Sequence, residues 1–364
     1  MNIVNQEILK TKQHFTVLDG LRGIAALGVV TYHFMEMVYT DFTKNIIGHG
    51  FLAVDFFFCL SGFVIGYAYD DRMKNMGTLE FFKSRIIRLH PLVLLGSILG
   101  LLTFLFDPFG GHPAIFSLGK IIMLFLSSAF LIPFPIIEER AFNLFGLNAP
   151  SWSLFWEYVA NIFYAFILFR LGKKYLVLLA TAAGFTLLMV AYNSGSLMGG
   201  WAGSNFWDGG ARIFYSFLAG LLIFRYKLII KNKLGFIGLS VLLSLTFLIP
   251  FFKYNWLVEF LVVLLYFPLL IALGAGTNIS ESLRKPCVFL GNLSYPLYMT
   301  HYAAIWMFSN YYNTHKPLGS ELATIIIAGI VLLVLFAYFT MIFYDIPVRK
   351  YLNRKRLEGK LPVR

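Results

Sequence analysis

Ten stretches of this chain, roughly 16–38, 47–69, 89–106, 150–169, 175–192, 208–224, 234–250, 255–273, 287–310 and 321–344, are long and apolar enough to read as membrane spans. About 20 apolar residues cross a bilayer as helix, and a helix satisfies its own backbone polar groups there. An eleventh stretch, Ile121 to Pro133, has only 13 residues and sits between Lys120 and two prolines. Composition agrees: 59% of the 364 residues are hydrophobic and 13% are charged, about half the usual charged share. A soluble globule could not hide so much apolar surface. The net charge of +12 therefore needs a membrane explanation, because a nucleic-acid binder would carry polar surface between its basic residues. Two cysteines, Cys59 and Cys287, exclude a disulfide framework. Met1 to Phe15 is polar, with no apolar core of a cleaved signal peptide.

Charge sets the sidedness. With the N-terminus inside and 121–133 treated as non-crossing, 23 Lys and Arg fall on inside segments and 5 on outside segments. The positive-inside rule is then well satisfied. The expected fold is all-α: a polytopic bundle of ten transmembrane helices with a re-entrant or interfacial segment near 121–133. Both termini are expected in the cytoplasm, with residues 1–15 as an N-terminal segment, 16–344 as the membrane domain and 345–364 as a basic tail.

Ionisable groups inside spans are costly and mark functional candidates. Arg22 and His33 are eleven residues apart in the first span, which places them on one helix face with an axial gap of roughly 16 Å. Singly, Arg22 also reads as a snorkelling anchor and His33 as an interhelical hydrogen bond; the shared face weakens both readings. Asp55, in the second span, reads either as a substrate contact or as a structural partner of Arg212. Ser61-Gly62 permits close helix approach. Arg85 and Arg88 are neighbours at a helix start and suit phosphate oxygens, although positive-inside anchoring would also place them there. Ser153 and Glu157 lie one above the other, and the Glu157 carboxylate needs a partner, for which a protonated His33 is one candidate. GNLSYPLYMTHY brings Ser294, Tyr295, Tyr298 and His301 within two turns, with His301 reading either as a ligand contact or as merely hydrogen-bonded. No metal motif, P-loop, dinucleotide fingerprint or nucleophile elbow is present.

These segments in this order resemble acyltransferase family 3, the bacterial membrane O-acyltransferases. The matching elements are Arg22-x10-His33, VDFFFCLSGF, Arg85-x-x-Arg88, Ser153-x-x-x-Glu157 and GNLSYPLYMTHY, spread from about Leu18 to Asp345. Some family members carry an extra helix and an extracytoplasmic domain, which the short basic tail here is expected to replace. The resemblance implies transfer of an acyl group, usually acetyl, from cytoplasmic acyl-CoA to a hydroxyl of a cell-surface glycan or lipid-linked sugar. It also implies residence in the bacterial cytoplasmic (inner) membrane among membrane lipid. Acetyl-CoA is the expected donor, with no metal and no nucleic-acid partner.

On that basis Arg22, Arg85 and Arg88 are expected to hold the CoA phosphates, and His33 to act as general base. Glu157 is expected to orient His33 or stabilise its imidazolium. Ser153, Asp55, Tyr295, Tyr298 and His301 are the expected substrate contacts. The competing reading is a proton-coupled transporter or flippase, which would also bury Asp, Glu and His but does not need an arginine pair at its cytoplasmic mouth.

Overall fold

The computed structural model describes residues 15–110 and 115–358. Most of the expected N-terminal segment and the last six residues of the tail lie outside the described residues. Every named element is helical, and the strand-type pairings among the described residues are two isolated bridges, Asn143 with Ala202 and Asn232 with Thr277. The helices are α1 (Thr16–Val38), α2 (Ala53–Tyr69), α3 (Thr78–Phe106), α4 (Leu118–Ala129), α5 (Ser151–Phe166), α6 (Lys173–Ser194), α7 (Phe206–Tyr226), α8 (Gly235–Phe247), α9 (Asn255–Gly276), α10 (Glu281–His315) and α11 (Gly319–Glu358). The chain is an all-helical, multi-pass membrane protein.

Each of the ten expected spans is helical in its place. Six helices are long and apolar enough to cross a membrane by length and composition: α2 with its leading turn, α3, α5 with its trailing turn, α6, α9 and α11. α1, α7 and α10 are long but carry polar and ionisable residues, and α8 has only 13 residues. The 12 residues of α4 span roughly 18 Å, short of the hydrocarbon core of about 30 Å. The expected boundary at 344/345 does not break the chain. α11 widens there into a π turn, Met341–Asp345, and continues to Glu358.

Two parallel helix pairs organise the interior. α2 packs against α7 through reciprocal glycines. A Cβ on Gly62 would meet the Phe217 carbonyl oxygen at 1.9 Å, and one on Gly220 would meet the Cys59 carbonyl oxygen at 1.9 Å. Only glycine permits backbones this close. The pair is pinned at both ends by Asp–Arg forks. Near its start, Arg212 Nε and Nη2 donate to Asp55 Oδ1 and Oδ2 at 3.1 and 2.6 Å. Near its end, Arg225 Nε and Nη2 donate to Asp70 at 2.6 and 3.0 Å, and Tyr164 Oη donates to the same carboxylate at 2.7 Å. Asp55 with Arg212 and Asp70 with Arg225 fix α2 and α7 in the same direction.

α1 and α10 form the second pair and also run in the same direction. Gly23 of α1 leaves room for Leu290 of α10 near one end, and Phe34 meets Phe308 near the other. Pro296 lies within α10; its missing N–H removes one rung of the helix ladder. These two helices run past both of the chambers described next.

Candidate functional site

Two chambers lie along the α1–α10 pair. The first is lined by Arg22, Arg85, Arg88 and Tyr295, and its wide part, about 310 Å3, also holds Asp345 and Arg349. A narrower extension of about 140 Å3 runs inward to Ser61, Ser153, Glu157 and Tyr298. The second chamber, about 480 Å3, holds His33, Glu36, Arg140, Arg212, Tyr302 and Trp306. Val54 and Tyr298 line both the narrow extension and the second chamber. At this boundary the Tyr298 and Ser153 hydroxyls share a hydrogen bond of 2.7 Å.

Helix periodicity builds the basic chamber. Arg22 Nε donates to Ser294 Oγ at 3.0 Å and its Nη2 to the Gly291 carbonyl at 2.6 Å, with Asp19 at 3.3 Å. Arg85 Nη2 donates to Glu157 Oε1 at 2.9 Å. Arg88, one turn on, is exposed and faces the chamber without an ion pair among the described residues. Arg349 follows the π turn of α11 and pairs with Asp345 at 2.5 Å. Four guanidinium groups therefore face one space. Asp19, Glu157 and Asp345 pair with three of them, so the chamber keeps a positive excess centred on Arg88, and guanidinium forks match phosphate oxygens.

In the second chamber, His33 Nδ1 lies 2.5 Å from Glu36 Oε1, one turn further along α1. A carboxylate only accepts, so in the neutral imidazole paired with an ionised Glu36 the proton sits on Nδ1 and Nε2 is the acceptor. The His33 ring stacks on His301 with centroids 5.3 Å apart and meets the edge of Tyr302 at 4.8 Å. These rings fix its orientation.

Several expectations need correction. Glu157 does not partner His33. Its carboxylate accepts from Arg85 and, at 2.6 Å, from Ser61 Oγ, in the narrow extension of the basic chamber; Glu36 takes the expected place beside His33. Asp55 is fully buried on Arg212 and lines neither chamber, so of its two readings the structural one holds. His301 is also fully buried, with Nδ1 3.1 Å from the Leu297 carbonyl; it supports His33 from behind and lines neither chamber. Arg22 and His33 do share a face, but each opens into a different chamber. Tyr295 reaches the basic chamber and donates to the Leu89 carbonyl at 2.6 Å. Ser153 and Tyr298 meet each other at the boundary between the chambers.

Three further residues line these chambers. Glu36 stands three residues after His33, a spacing readable on one helix face. Arg349 lies past the last expected span, in a basic run whose charge reads as topological. Arg140 lies between helices, where no periodicity points to it. It is 8% exposed and its guanidinium sits between the Phe104 and Trp306 rings at 5.0 and 4.9 Å. Burial lowers its pKa to about 10, so it remains a cation at neutral pH.

The sequence profile of the family 3 acyltransferase domain matches residues 15–343. The chain belongs to that family, and its class is a membrane acyltransferase. It is similar to protein 2 of the picA locus of Rhizobium radiobacter, 32% identical over 49% of this chain and 95% of that protein. It is also similar to the O-acetyltransferase OatA of Staphylococcus aureus, 25% identical over 94% of this chain and 58% of that protein. The chain thus spans little more than half the length of that O-acetyltransferase. No solved structure matches it.

Proposed function

We propose that this protein is an O-acyltransferase that takes an acyl group, acetyl in the first instance, from cytoplasmic acyl-CoA in the basic chamber. It passes that group to a hydroxyl of a glycan or lipid-linked sugar in the histidine chamber. The observation that carries the reading is the pair of chambers on one helix pair, four arginines in one and an oriented imidazole in the other, meeting at Tyr298 and Val54. The name of the S. aureus relative supports O-acetyl transfer.

The proposed topology is ten crossings of the bacterial cytoplasmic membrane with both termini inside and α4 not crossing. The parallel run of α2 and α7 supports it: α3, α5 and α6 lie between them as three crossings, and a fourth by α4 would make the pair antiparallel. α1 and α10 are parallel for the same reason of parity. The 23-to-5 bias of basic residues orients the whole.

Arg88 and Arg349 bind CoA phosphates, with Arg22 and Arg85 held ready by Ser294 and Glu157. The pantetheine arm follows the narrow extension and brings the thioester to the Tyr298–Ser153 boundary. His33 Nε2 takes the proton of the acceptor hydroxyl as its oxygen attacks the thioester carbon. Glu36 holds the ring in the useful tautomer and offsets the imidazolium charge. The tetrahedral oxyanion lies against the Tyr298 and Ser153 hydroxyls. Its collapse breaks the C–S bond, and the CoA thiolate recovers the proton that His33 took.

A proton-coupled carrier would bury similar acids and histidine; the four-arginine chamber favours the enzyme. The test is release of CoA from acetyl-CoA by the purified protein with a crude glycan extract. Acceptor-dependent release is expected, and its absence with all glycan fractions counts for the carrier. Rapid quench with labelled acetyl-CoA alone asks whether acetyl rests on His33. Direct transfer predicts no labelled protein.

A further inference from the structure

The histidine chamber holds two arginines in opposite states. Arg212 is well satisfied, with four hydrogen bonds: a two-point fork on Asp55, the Gly199 carbonyl at 2.7 Å and the Phe51 carbonyl at 3.3 Å. Arg140 is not. Its one hydrogen bond among the described residues runs from Nη1 to the Gly146 carbonyl, and no carboxylate forms an ion pair with it there. A guanidinium has five N–H donors, so most of its donors are left over. A buried cation without a counter-charge is costly, and two aromatic faces offset only part of that cost. Asp107 favours the cation from a distance but is held by Asn310 and the Phe109 N–H, without an ion pair to Arg140, and the two carboxylates that line the chamber do not supply the rest. Glu36 is engaged by His33, and Glu139 is exposed to solvent.

The local backbone holds this arrangement. Ala141 and Phe142, the two residues after Arg140, both have φ of 50°, a left-handed conformation that is strained for a residue with a side chain. The turn sends the Arg140 side chain inward between α3 and α10. From His33 the path is short: Tyr302 contacts His33, Trp306 lies 5.4 Å from Tyr302, and Arg140 rests on Trp306. Arg140 is two rings away from the proposed base.

We propose that Arg140 is an anion-binding residue for the acceptor, and that the acceptor is a sugar carrying a carboxylate or phosphate on the acylated unit or its neighbour. This rests on the proposed role of the histidine chamber as the acceptor site. The guanidinium fits either anion by the same two-point geometry. Among the chamber's other rings, Trp152, Trp201 and Tyr302 are broad apolar faces suited to a sugar ring.

The experiment follows tryptophan fluorescence of the full chain in detergent, because Trp306 touches Arg140. The probes are methyl glucuronide, glucose 1-phosphate and the neutral methyl glucoside. At least one anionic probe is expected to bind at least tenfold more tightly than the neutral one, and the better anion distinguishes carboxylate from phosphate. Arg140→Met removes that preference; Arg88→Met, in the other chamber, keeps it. Arg140→Lys, which retains charge without the fork, keeps a preference of at least threefold less and serves if the methionine variant does not fold. His33→Ala keeps the preference while losing transfer, so failure of the base assignment and failure of the anion site are separable. The proposal is overturned if neither anion is preferred in the unmodified protein, absence of saturable binding included. It is equally overturned if the preference survives Arg140→Met or is lost in Arg88→Met.

Discussion

The basic chamber and the histidine chamber share α1 and α10 but are assembled in different ways. The basic chamber takes its guanidinium groups from helices: Arg22 on α1, Arg85 and Arg88 on α3, Arg349 on α11. Their positions follow from helical spacing, and one of them, Arg88, is left open to the chamber. The histidine chamber combines a helical dyad, His33 with Glu36, with Arg140 and Trp201 from the segments between helices. Its one open cation is held by a strained turn. On the proposed reading the basic chamber binds the acyl donor, and helix-borne charge is enough to meet its phosphates. A chamber for a particular acceptor needs groups aimed individually, and connecting segments on a rigid scaffold provide that aim.

The sharpest test of this division is His33→Ala. Acyl transfer is expected to fall about 10²–10⁴-fold with little change in KM for acetyl-CoA, measured as acceptor-dependent CoA release. A normally folded variant with full transfer would move the chemistry out of the histidine chamber. Next is the wall that both chambers depend on. Asp55→Ala strands the Arg212 cation, and breaking such a buried pair costs about 3–5 kcal/mol. Thermal unfolding in detergent should show a large fall; an unchanged transition would mean that Arg212 finds water.

A paired substitution sharpens the contrast between the two glutamates. Glu36→Gln weakens a charge-assisted bond to His33, worth about 1.5–3 kcal/mol, so kcat is expected to fall about tenfold to a hundredfold. Glu157→Gln frees Arg85 and acts on the other chamber, so KM for acetyl-CoA should change more than kcat. If both variants lose only kcat, the chambers are not functionally separate. The smallest effect is expected at Gly62→Ala, where the new methyl meets the Phe217 carbonyl. Overpacking of this kind costs about 1–3 kcal/mol, seen as a lower unfolding temperature with KM little changed. A neutral outcome would show that α2 and α7 can move apart freely.

Much of the helical framework was legible because bilayer thickness imposes a length and an apolar composition on every crossing. The shared face of Arg22 and His33, the Arg85–Arg88 pair and the Ser153–Glu157 spacing were legible for a related reason: an α-helix turns by a constant angle, so neighbours in space recur at fixed intervals in sequence. Partnerships between helices have no such rule. Nothing in the chain order says that Glu157 meets Arg85 rather than His33, that Asp55 is spent on Arg212, or that Tyr298 stands between the arginines and the imidazole. Those facts depend on the rotation and parallel packing of α1 with α10 and α2 with α7. Arg140 lay furthest from reach, because a turn without periodicity folds it inward and three separate segments make its surroundings. Local spacing and the membrane's thickness thus account for the helices and their polar faces, while long-range packing chose which charges are satisfied and which remain open for ligands.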